Sequence, residues 1–256
     1  MAGVPTGTLG GVDDIAFFVD CHSHVVPSDD DGASSVRQGI ELSREAAAHG
    51  TAILFATPHV WPHLTLTPER EAAIRKAYGE MRPHAVLELR LGFELTPHPR
   101  LLRDDMARYE LEGTGCVLVE VPFTGGPEVL FRVGEHIESS GFRPVIGHPE
   151  RTETVLDDPG VAEELAGRGW ALQVNGTSLL GLHGPGPEEL AWRFLENGQA
   201  SLVASDGHRA TRPPHLDEAY DRVSERLGEG AMRFFDGSAL GLSRLQTPSR
   251  AASTTA

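Results

Sequence analysis

The stretch FVDCHSHVVPSDDDG, residues 18–32, sets His22 and His24 one residue apart behind an apolar run. It then places Asp29, Asp30 and Asp31 side by side. Buried imidazoles are costly and adjacent carboxylates repel one another, and a shared cation would relieve both. Side chains on a strand alternate, so His22 and His24 point to one side while Cys21 and Ser23 point to the other. An HxH pair at a strand end can hold one ion with two imidazoles. The same residue types recur at the ends of other apolar runs. His59 follows TAILFAT, Glu94 ends VLELRLGFE and Glu120 lies in GCVLVEV. His148 and Arg151 follow PVIG, Asn175 ends ALQVN, and Asp206 and His208 end SLVASDGH. Mixed imidazole and carboxylate donors suit Mn²⁺, Fe or Zn²⁺ rather than Ca²⁺. The absence of paired cysteines argues against a structural zinc site. One ion cannot use so many donors, so a cluster of two or three is expected. Such a cluster can activate water and stabilise a phosphoryl transition state.

These donors must be brought together by the elements that carry them. The runs IAFFVD, TAILFAT, VLELRLGFE, GCVLVEV, PVIGH, ALQVN and SLVASD have strand length and suit a parallel sheet buried on both faces. The segments between them read as helices. Ser34 or Ser35 can cap one, with Gln38 completing a capping box to Ser35, and Ile40, Leu42, Ala46 and Ala47 forming its buried stripe before Gly50. Another starts near Thr67, with Pro68 at the first helical position. Residues 132–139, 161–168 and 187–197 give three more, followed by Gly141, Gly169 and Gly198. Strand–helix alternation implies a doubly wound sheet or a barrel. Seven strands with polar C-terminal ends favour the barrel, because a parallel barrel gathers those ends on one face. The other histidines (His49, His63, His84, His98, His136, His183 and His215) fall in helical or loop segments and read mostly as surface residues.

The 256 residues suit one large α/β domain, since a closed α/β barrel needs about 250 residues. No run of roughly 18 apolar residues is present, so a membrane span is not expected. The start, MAGVPTGTLGGVDD, lacks the basic and apolar segments of a secretory signal. Two cysteines make no disulfide framework and fit a reducing, cytoplasmic setting. A formal charge of -15 disfavours nucleic acid as a partner, though not a small anionic substrate.

The ordered set DCHSH, DDG, ATPH, GFELTP, LVEVPF, IGHPER, QVN and ASDGHR, followed by RPPHLDEAY, resembles the polymerase-and-histidinol-phosphatase (PHP) superfamily. Within it the chain is most similar to the bacterial manganese-dependent protein-tyrosine phosphatases of capsule and exopolysaccharide operons. The resemblance runs from about Phe18 to about Leu245. It implies a distorted seven-stranded (β/α)7 TIM-like barrel with a flexible lead-in at 1–16, a single metal-dependent phosphatase domain at 17–246 and a disordered tail at 247–256. It also implies three ions. His22, His24, Glu94 and Asp206 would hold one, and Glu94 would bridge to a second completed by Glu120 and His148. His59, His208 and an aspartate would hold the third. Asp31, directly before Gly32, best matches the DDG motif, with Asp30 as the reserve and Asp29 the remaining member of the run. Arg151 and Arg212 match the family's arginines and would grip phosphate through their planar forks. Ordinary surface ion pairing is the alternative for both, and turn capping is the alternative for Asn175. The longer lead-in, Val26, residues 28–31 and the loop after His59 depart from the family, which bears on the rim of the site.

The activity implied is phosphomonoester hydrolysis by attack of a metal-activated water on phosphorus, with Arg151 and Arg212 steadying charge and Asp206 or His208 handling the proton. The implied cofactor is Mn²⁺, two or three ions, with Fe or Zn as alternatives. The implied partner is a phosphotyrosine protein, the tail of a membrane-associated tyrosine kinase that regulates polysaccharide chain length. A histidinol-phosphate type of small-molecule phosphatase is the first rival, and a non-catalytic metal-binding scaffold is the rival from another class. A cysteine phosphatase needs a thiolate six residues before an arginine, but Pro27 and Pro122 stand six residues after Cys21 and Cys116. A metal-dependent amidohydrolase usually carries a carbamylated lysine, whereas Lys76, the single lysine, falls in a helical segment.

Overall fold

The computed structural model describes residues 17–242. The expected lead-in at 1–16 and the tail at 247–256 lie outside them. In chain order the elements are β1 (Phe18–Ser23), α1 (Val36–Ala48), β2 (Thr51–Ala56), β3 (His59–Val60), α2 (Pro68–Met81), β4 (Glu88–Leu91) and β5 (Glu94–Leu95). Then come β6 (Glu110–Leu111), β7 (Cys116–Glu120), α3 (Glu128–Ser139), β8 (Arg143–Gly147), α4 (Glu153–Asp157), α5 (Gly160–Gly167) and β9 (Ala171–Asn175). The chain continues through α6 (Gly176–Leu179), α7 (Pro185–Glu196), β10 (Ala200–Ala204) and α8 (Asp217–Leu227).

All seven apolar runs form strands. β1, β2 and β4 pair in parallel, and β10, β9, β8, β7, β5 and β3 pair in parallel in that order, with β6 added antiparallel to β7. The two groups share chain segments, because β2 continues into β3 and β4 into β5 after two residues each. Bonds from Gly92 N to Ala56 O (2.8 Å) and from Glu94 N to Pro58 O (3.1 Å) carry the pairing across those breaks. Beyond the end of β10 the chain meets β1: Asp206 N donates to His22 O at 2.9 Å and His24 N donates to Gly207 O at 2.7 Å. Below that junction the Asp20 carboxylate accepts from Ser205 N (3.1 Å) and Ser205 Oγ (2.5 Å). Asp20 thus fastens β1 to the end of β10.

The helices form where their signals lie, with small shifts. Ser35 caps α1 by accepting from Gln38 N at 3.2 Å. The reciprocal bond lands one residue early, since Gln38 Oε1 accepts from Ser34 N at 2.7 Å rather than from Ser35. Thr67 caps α2 through Arg70 N, with Pro68 opening the helix. α3 begins at Glu128, four residues before the sequence pattern becomes legible, and α7 begins at Pro185. Gly50 and Gly141 follow α1 and α3 at φ 86°, a conformation that a Cβ disfavours.

Alternation divides the strands between two apolar clusters. Val117, Val119, Ile146, Leu172, Val174 and Val203 pack with helix residues such as Leu130, Val133 and Leu165. Leu118, Val145, Leu202 and Ala204 face the other way and meet Val19, Cys21, Ile53 and Phe55. On this second side three strands change from apolar to polar within two residues: Leu118 is followed by Glu120, Ala171 by Gln173 and Asn175, and Ala204 by Asp206. Burying each large aliphatic side chain contributes about 1.5–3 kcal/mol, which supports a floor of apolar rungs under a polar layer.

Two glycines test this packing with opposite signs. A Cβ on Gly134 of α3 would lie 2.1 Å from the buried Trp170 ring, whereas one on Gly79 of α2 would meet nothing within 4 Å. Gly134→Ala is expected to cost about 2 kcal/mol, roughly 4–8 °C in Tm for a chain of this size. Gly79→Ala should raise Tm slightly, by about 0.5–1 kcal/mol of helix propensity. Thermal unfolding followed by circular dichroism measures both, and an unchanged Gly134→Ala Tm would contradict the tight α3–Trp170 contact.

Candidate metal centre

The polar layer converges. His22 Nε2 lies 3.2 Å from His24 Nε2, 3.2 Å from Glu94 Oε2 and 3.6 Å from Asp206 Oδ1. His24 Nε2 lies 3.3 Å from Glu94 Oε2 and 3.4 Å from Asp206 Oδ1. Ligand bonds of about 2.1 Å set neighbouring donors roughly 3.0–3.4 Å apart around one ion. The His22 and His24 nitrogens therefore stand at about coordination spacing from one another and from carboxylate oxygens of both Glu94 and Asp206.

Further donors join through Glu94. Its Oε1 is 2.9 Å from His148 Nε2, and its Oε2 is 2.7 Å from His59 Nδ1. Glu94 Oε2 and His59 Nδ1 are buried yet lack hydrogen-bond geometry, despite their short separation. Two donor atoms aimed past each other suit ligands that share a cation better than a bonded pair. Glu120 brings an oxygen within 4.8 Å of donors on Glu94 and His59. His24, His59 and His208 form another group within the same limit. Asp31 Oδ1 stands 3.4 Å from His59 Nε2 and 3.2 Å from His208 Nε2. Asp30 accepts from Gly32 N (3.0 Å) and His59 N (3.0 Å), so fixing the loop, and its Oδ2 lies 3.9 Å from His24 Nδ1.

All nine donors named from the sequence thus come together, with overlapping groups. His22 sits with Glu94 and His148 as well as with His24 and Asp206, and His24 sits with His59 and His208. The partition implied by the resemblance is cleaner than the geometry, in which His22 and His24 each border two groups.

The electrostatics call for positive charge. Burial pushes His22 and His24 toward the neutral form, but the carboxylates of Glu94 and Asp206 outweigh it and raise both. His59 is raised to about 9, with burial opposing and Glu94 favouring its charge. Burial pushes Glu120 up to about 7, and the Glu94 charge adds to it. Burial and the neighbouring His24 lower His208 to about 4. Cations at these donors would take the place of protons, which is the usual coupling of metal binding to proton release.

The two arginines also arrive. Arg151 Nη1 is 2.5 Å from Asp206 Oδ2, and Arg212 Nη1 is 3.5 Å from the same oxygen. Arg212 Nη2 lies 2.8 Å from His208 Nε2. Asn175, for which turn capping was the alternative, donates from Nδ2 to Asp206 Oδ2 at 2.8 Å. Gln173 then links the layer: its Nε2 donates to Asn175 Oδ1 at 2.8 Å, and its Oε1 faces His22 Nδ1 at 2.9 Å. Sequence reasoning missed Gln173, although it shares the alternation of Asn175. It also missed Glu150, a buried carboxylate accepting from Asn175 N (2.9 Å) and Ser178 Oγ (2.7 Å), for which no sequence signal existed. His183 belongs to the histidines that read mostly as surface residues in the sequence. It is instead half-buried, and burial together with the charges of Arg151 and Arg212 lowers it to about 4. Asp29, His148 and Asp206 are the non-glycine residues with positive φ among those described, at 64°, 33° and 50°. Two of the three are candidate ligands, as expected where a site holds strained backbone in place.

Residues 18–236 match the family described as capsular polysaccharide synthesis, CpsB/CapC. The chain belongs to this family. The tyrosine-protein phosphatase YwqE of Bacillus subtilis (strain 168) is 29% identical over 220 residues, which are 82% of this chain and 85% of that protein. The tyrosine-protein phosphatase CpsB of Streptococcus agalactiae serotype III (strain NEM316) is 26% identical over 223 residues, 82% of this chain and 91% of that one. A solved structure from work on B. subtilis YwqE and Streptococcus pneumoniae CpsB, described as unique metal-dependent tyrosine phosphatases, superposes with a TM-score of 0.75 at 28% identity, covering 84% of this chain and 89% of that one. The dihydropyrimidinase of Brevibacillus agri NCHU1002 shares the fold alone, with a TM-score of 0.59 at 13% identity over 88% of this chain and 70% of that one.

Asp30 and Asp31 should separate in experiment. Asp31→Ala is expected to lower the bound divalent metal measured by elemental analysis by about one ion in this multi-ion site, with little change in the Tm of metal-stripped protein. Asp30→Ala should lower that Tm, by about 1–3 kcal/mol for orphaned backbone donors. The reverse pattern would exchange their roles.

Proposed function

We propose that the protein is a metal-dependent protein-tyrosine phosphatase. The observation that carries this reading is the His22–His24 imidazole pair set close to the carboxylates of both Glu94 and Asp206, with two arginines on Asp206. The tyrosine phosphatases among the relatives support the choice of reaction. When bound, divalent ions would supply Lewis-acid activation of water and neutralise charge on the phosphoryl group. His22, His24, Glu94 and Asp206 would hold one; Glu94, Glu120 and His148 a second; and Asp31, His59 and His208 a third. Mn²⁺ fits this donor set, as do Fe and Zn²⁺.

The chain's own groups divide the remaining work. Asp206 fixes one Nη of Arg151, leaving the rest of the fork to face phosphate oxygens, and Arg212 stands across from it. Both would steady the charge that develops on the phosphoryl oxygens. The Gln173–Asn175 chain orients His22 and Asp206, as second-layer hydrogen bonds orient ligands in general. His208 Nδ1 lies 2.8 Å from Asp206 O, and its Nε2 faces Asp31 Oδ1 at 3.2 Å and Arg212 Nη2 at 2.8 Å. Metal ligation would limit proton transfer from His208 or Asp206 to the leaving group, and a phenolate needs little such help. Phosphotyrosine in the tail of a membrane-associated kinase of polysaccharide synthesis is the substrate we infer, in the cytoplasm. We infer too that residues 17–246 form one domain whose seven parallel strands close into a distorted (β/α)7 barrel, supported by the bonds between β1 and the end of β10.

Turnover of para-nitrophenyl phosphate should vanish after chelation and return with Mn²⁺. His22→Ala/His24→Ala should lower it at least about a hundredfold. Full activity in either case would overturn the reading. Comparing phosphotyrosine peptides with histidinol phosphate separates the small-molecule rival.

Iodoacetamide should leave activity intact. Cys21 and Cys116 are buried, and burial raises both thiols above their ordinary range. Rapid inactivation would point to a thiolate mechanism instead.

A further inference from the structure

Three large apolar side chains are strongly exposed among the described residues: Val86, Phe123 and Leu182. Val86 precedes β4, at the end of the strands opposite the donors. The other two lie at the donor end. Phe123 follows β7 three residues after Glu120, and Leu182 adjoins His183 in the loop after α6.

Phe123 is placed against the part of the site that would grip phosphate. Its ring centroid is 5.9 Å from that of His148, and the Arg151 guanidinium lies 5.8 Å from it. Arg151 is thereby held between the Asp206 carboxylate and the Phe123 ring. The ring is not a loose ornament of a floppy loop. Glu153 N donates to Phe123 O at 3.0 Å, and Thr154 Oγ1 donates to Pro122 O at 2.8 Å and to Gly125 O at 2.9 Å. The backbone is fastened on both sides while the side chain stays 45% exposed. An exposed phenyl ring next to a charged pocket has a face free for a ligand. A phosphate gripped by Arg151 would carry its ester group outward, and an aromatic ester group would meet that face. Leu182, in the loop after α6, is 70% exposed, and the adjoining His183 Nε2 lies 2.8 Å from Thr177 Oγ1.

Resting on the phosphatase reading above, we propose that Phe123 is the specificity wall of the site: it stacks with the aromatic ring of an aryl phosphate and so favours aryl over alkyl phosphomonoesters. Offset or tilted ring pairs contribute enough to change affinity about three- to tenfold. Because Phe123 is half-exposed, its removal should not disturb folding.

The experiment uses the Mn²⁺-loaded protein with two non-hydrolysable probes, benzylphosphonate and ethylphosphonate, titrated by calorimetry. Phe123→Ala should weaken benzylphosphonate about three- to tenfold and leave ethylphosphonate within twofold. Phe123→Tyr should restore ring binding, and Val86→Ser should change neither probe. Equal weakening of both probes would mean that Phe123 only positions Arg151, and no weakening of either would mean that the ring rests elsewhere; each result overturns the proposal. The titration reads binding without turnover. A wild type that binds both probes but hydrolyses nothing would therefore sink the phosphatase reading, whereas ring selectivity unchanged by Phe123→Ala would sink this inference alone.

Discussion

Glu94 faces four imidazoles. Its Oε2 lies within 3.3 Å of nitrogens on His22, His24 and His59, and its Oε1 lies 2.9 Å from His148. The side chain is fully buried. A buried carboxylate without compensation costs several kcal/mol, and an ordinary core would not retain one. Once Glu94 is placed, the surrounding donors become intelligible. The imidazoles cannot all be protonated without repelling each other, and they cannot all be neutral without leaving the acid uncompensated. A shared set of cations satisfies acid and imidazoles together. Glu120 and Asp206 add to the same demand: burial and the Glu94 charge raise Glu120, while the neighbouring imidazoles hold Asp206 well below the usual carboxylate range despite its burial.

That demand explains the architecture under the site. Donors from six strand ends must hold position to within a few tenths of an ångström, so they stand on strands whose lower rungs are packed apolar side chains. The layer above is tied crosswise by side chains that touch no expected ion. His22 is linked to Gln173, Gln173 to Asn175, and Asn175 to Asp206. Glu150 secures the backbone of Asn175 and the start of the next turn. Asp20 and Ser205 bind the first strand to the last, just below the two ends that carry His22 and Asp206. Loss of any one of these links would leave the donors present but loosely aimed.

Much of this was legible in the sequence, for a physical reason. Strands buried on both faces read as apolar runs, and donors at their ends read as departures from those runs. All seven runs and eight of the nine donors follow from that contrast, whereas Asp31 lies in the loop after β1. Asp31 could be preferred over Asp30 through the family motif, and the two carboxylates have different surroundings: Asp31 faces His59 and His208, while Asp30 accepts from two backbone donors and lies near His24. What escaped were features that depend on neighbours remote in sequence. β6 is two residues long, and antiparallel pairing with β7 alone defines it. The start of α3 lacks a side-chain cap signal, with Pro127 at its N-cap, although Leu130 and Val133 already carry its buried stripe. Glu150 looks like any acid in a polar loop until Asn175 and Ser178 close over it. His183 looks like a loop residue until two arginines from other segments face it.

The wider comparison shows where the information about chemistry resides. The dihydropyrimidinase fold resembles this one at 13% identity, so the scaffold does not choose between an amide and a phosphate ester. The rim does. The single lysine of this chain, Lys76, stands exposed on α2, 3.9 Å from Glu80 on the next turn, and so cannot bridge ions at the strand ends as a carbamate would. A glutamate from β5 takes the central place among the donors. Around it stand guanidinium groups, which match the tetrahedral and dianionic character of a phosphoryl group better than the neutral carbonyl of an amide. A carboxylate hub also leaves the centre more negative than a neutral ligand would, and a dianionic substrate can enter such a centre only if positive charge is supplied in surplus. The arginines at its rim and the several cations its donors can hold are two answers to that single electrostatic requirement.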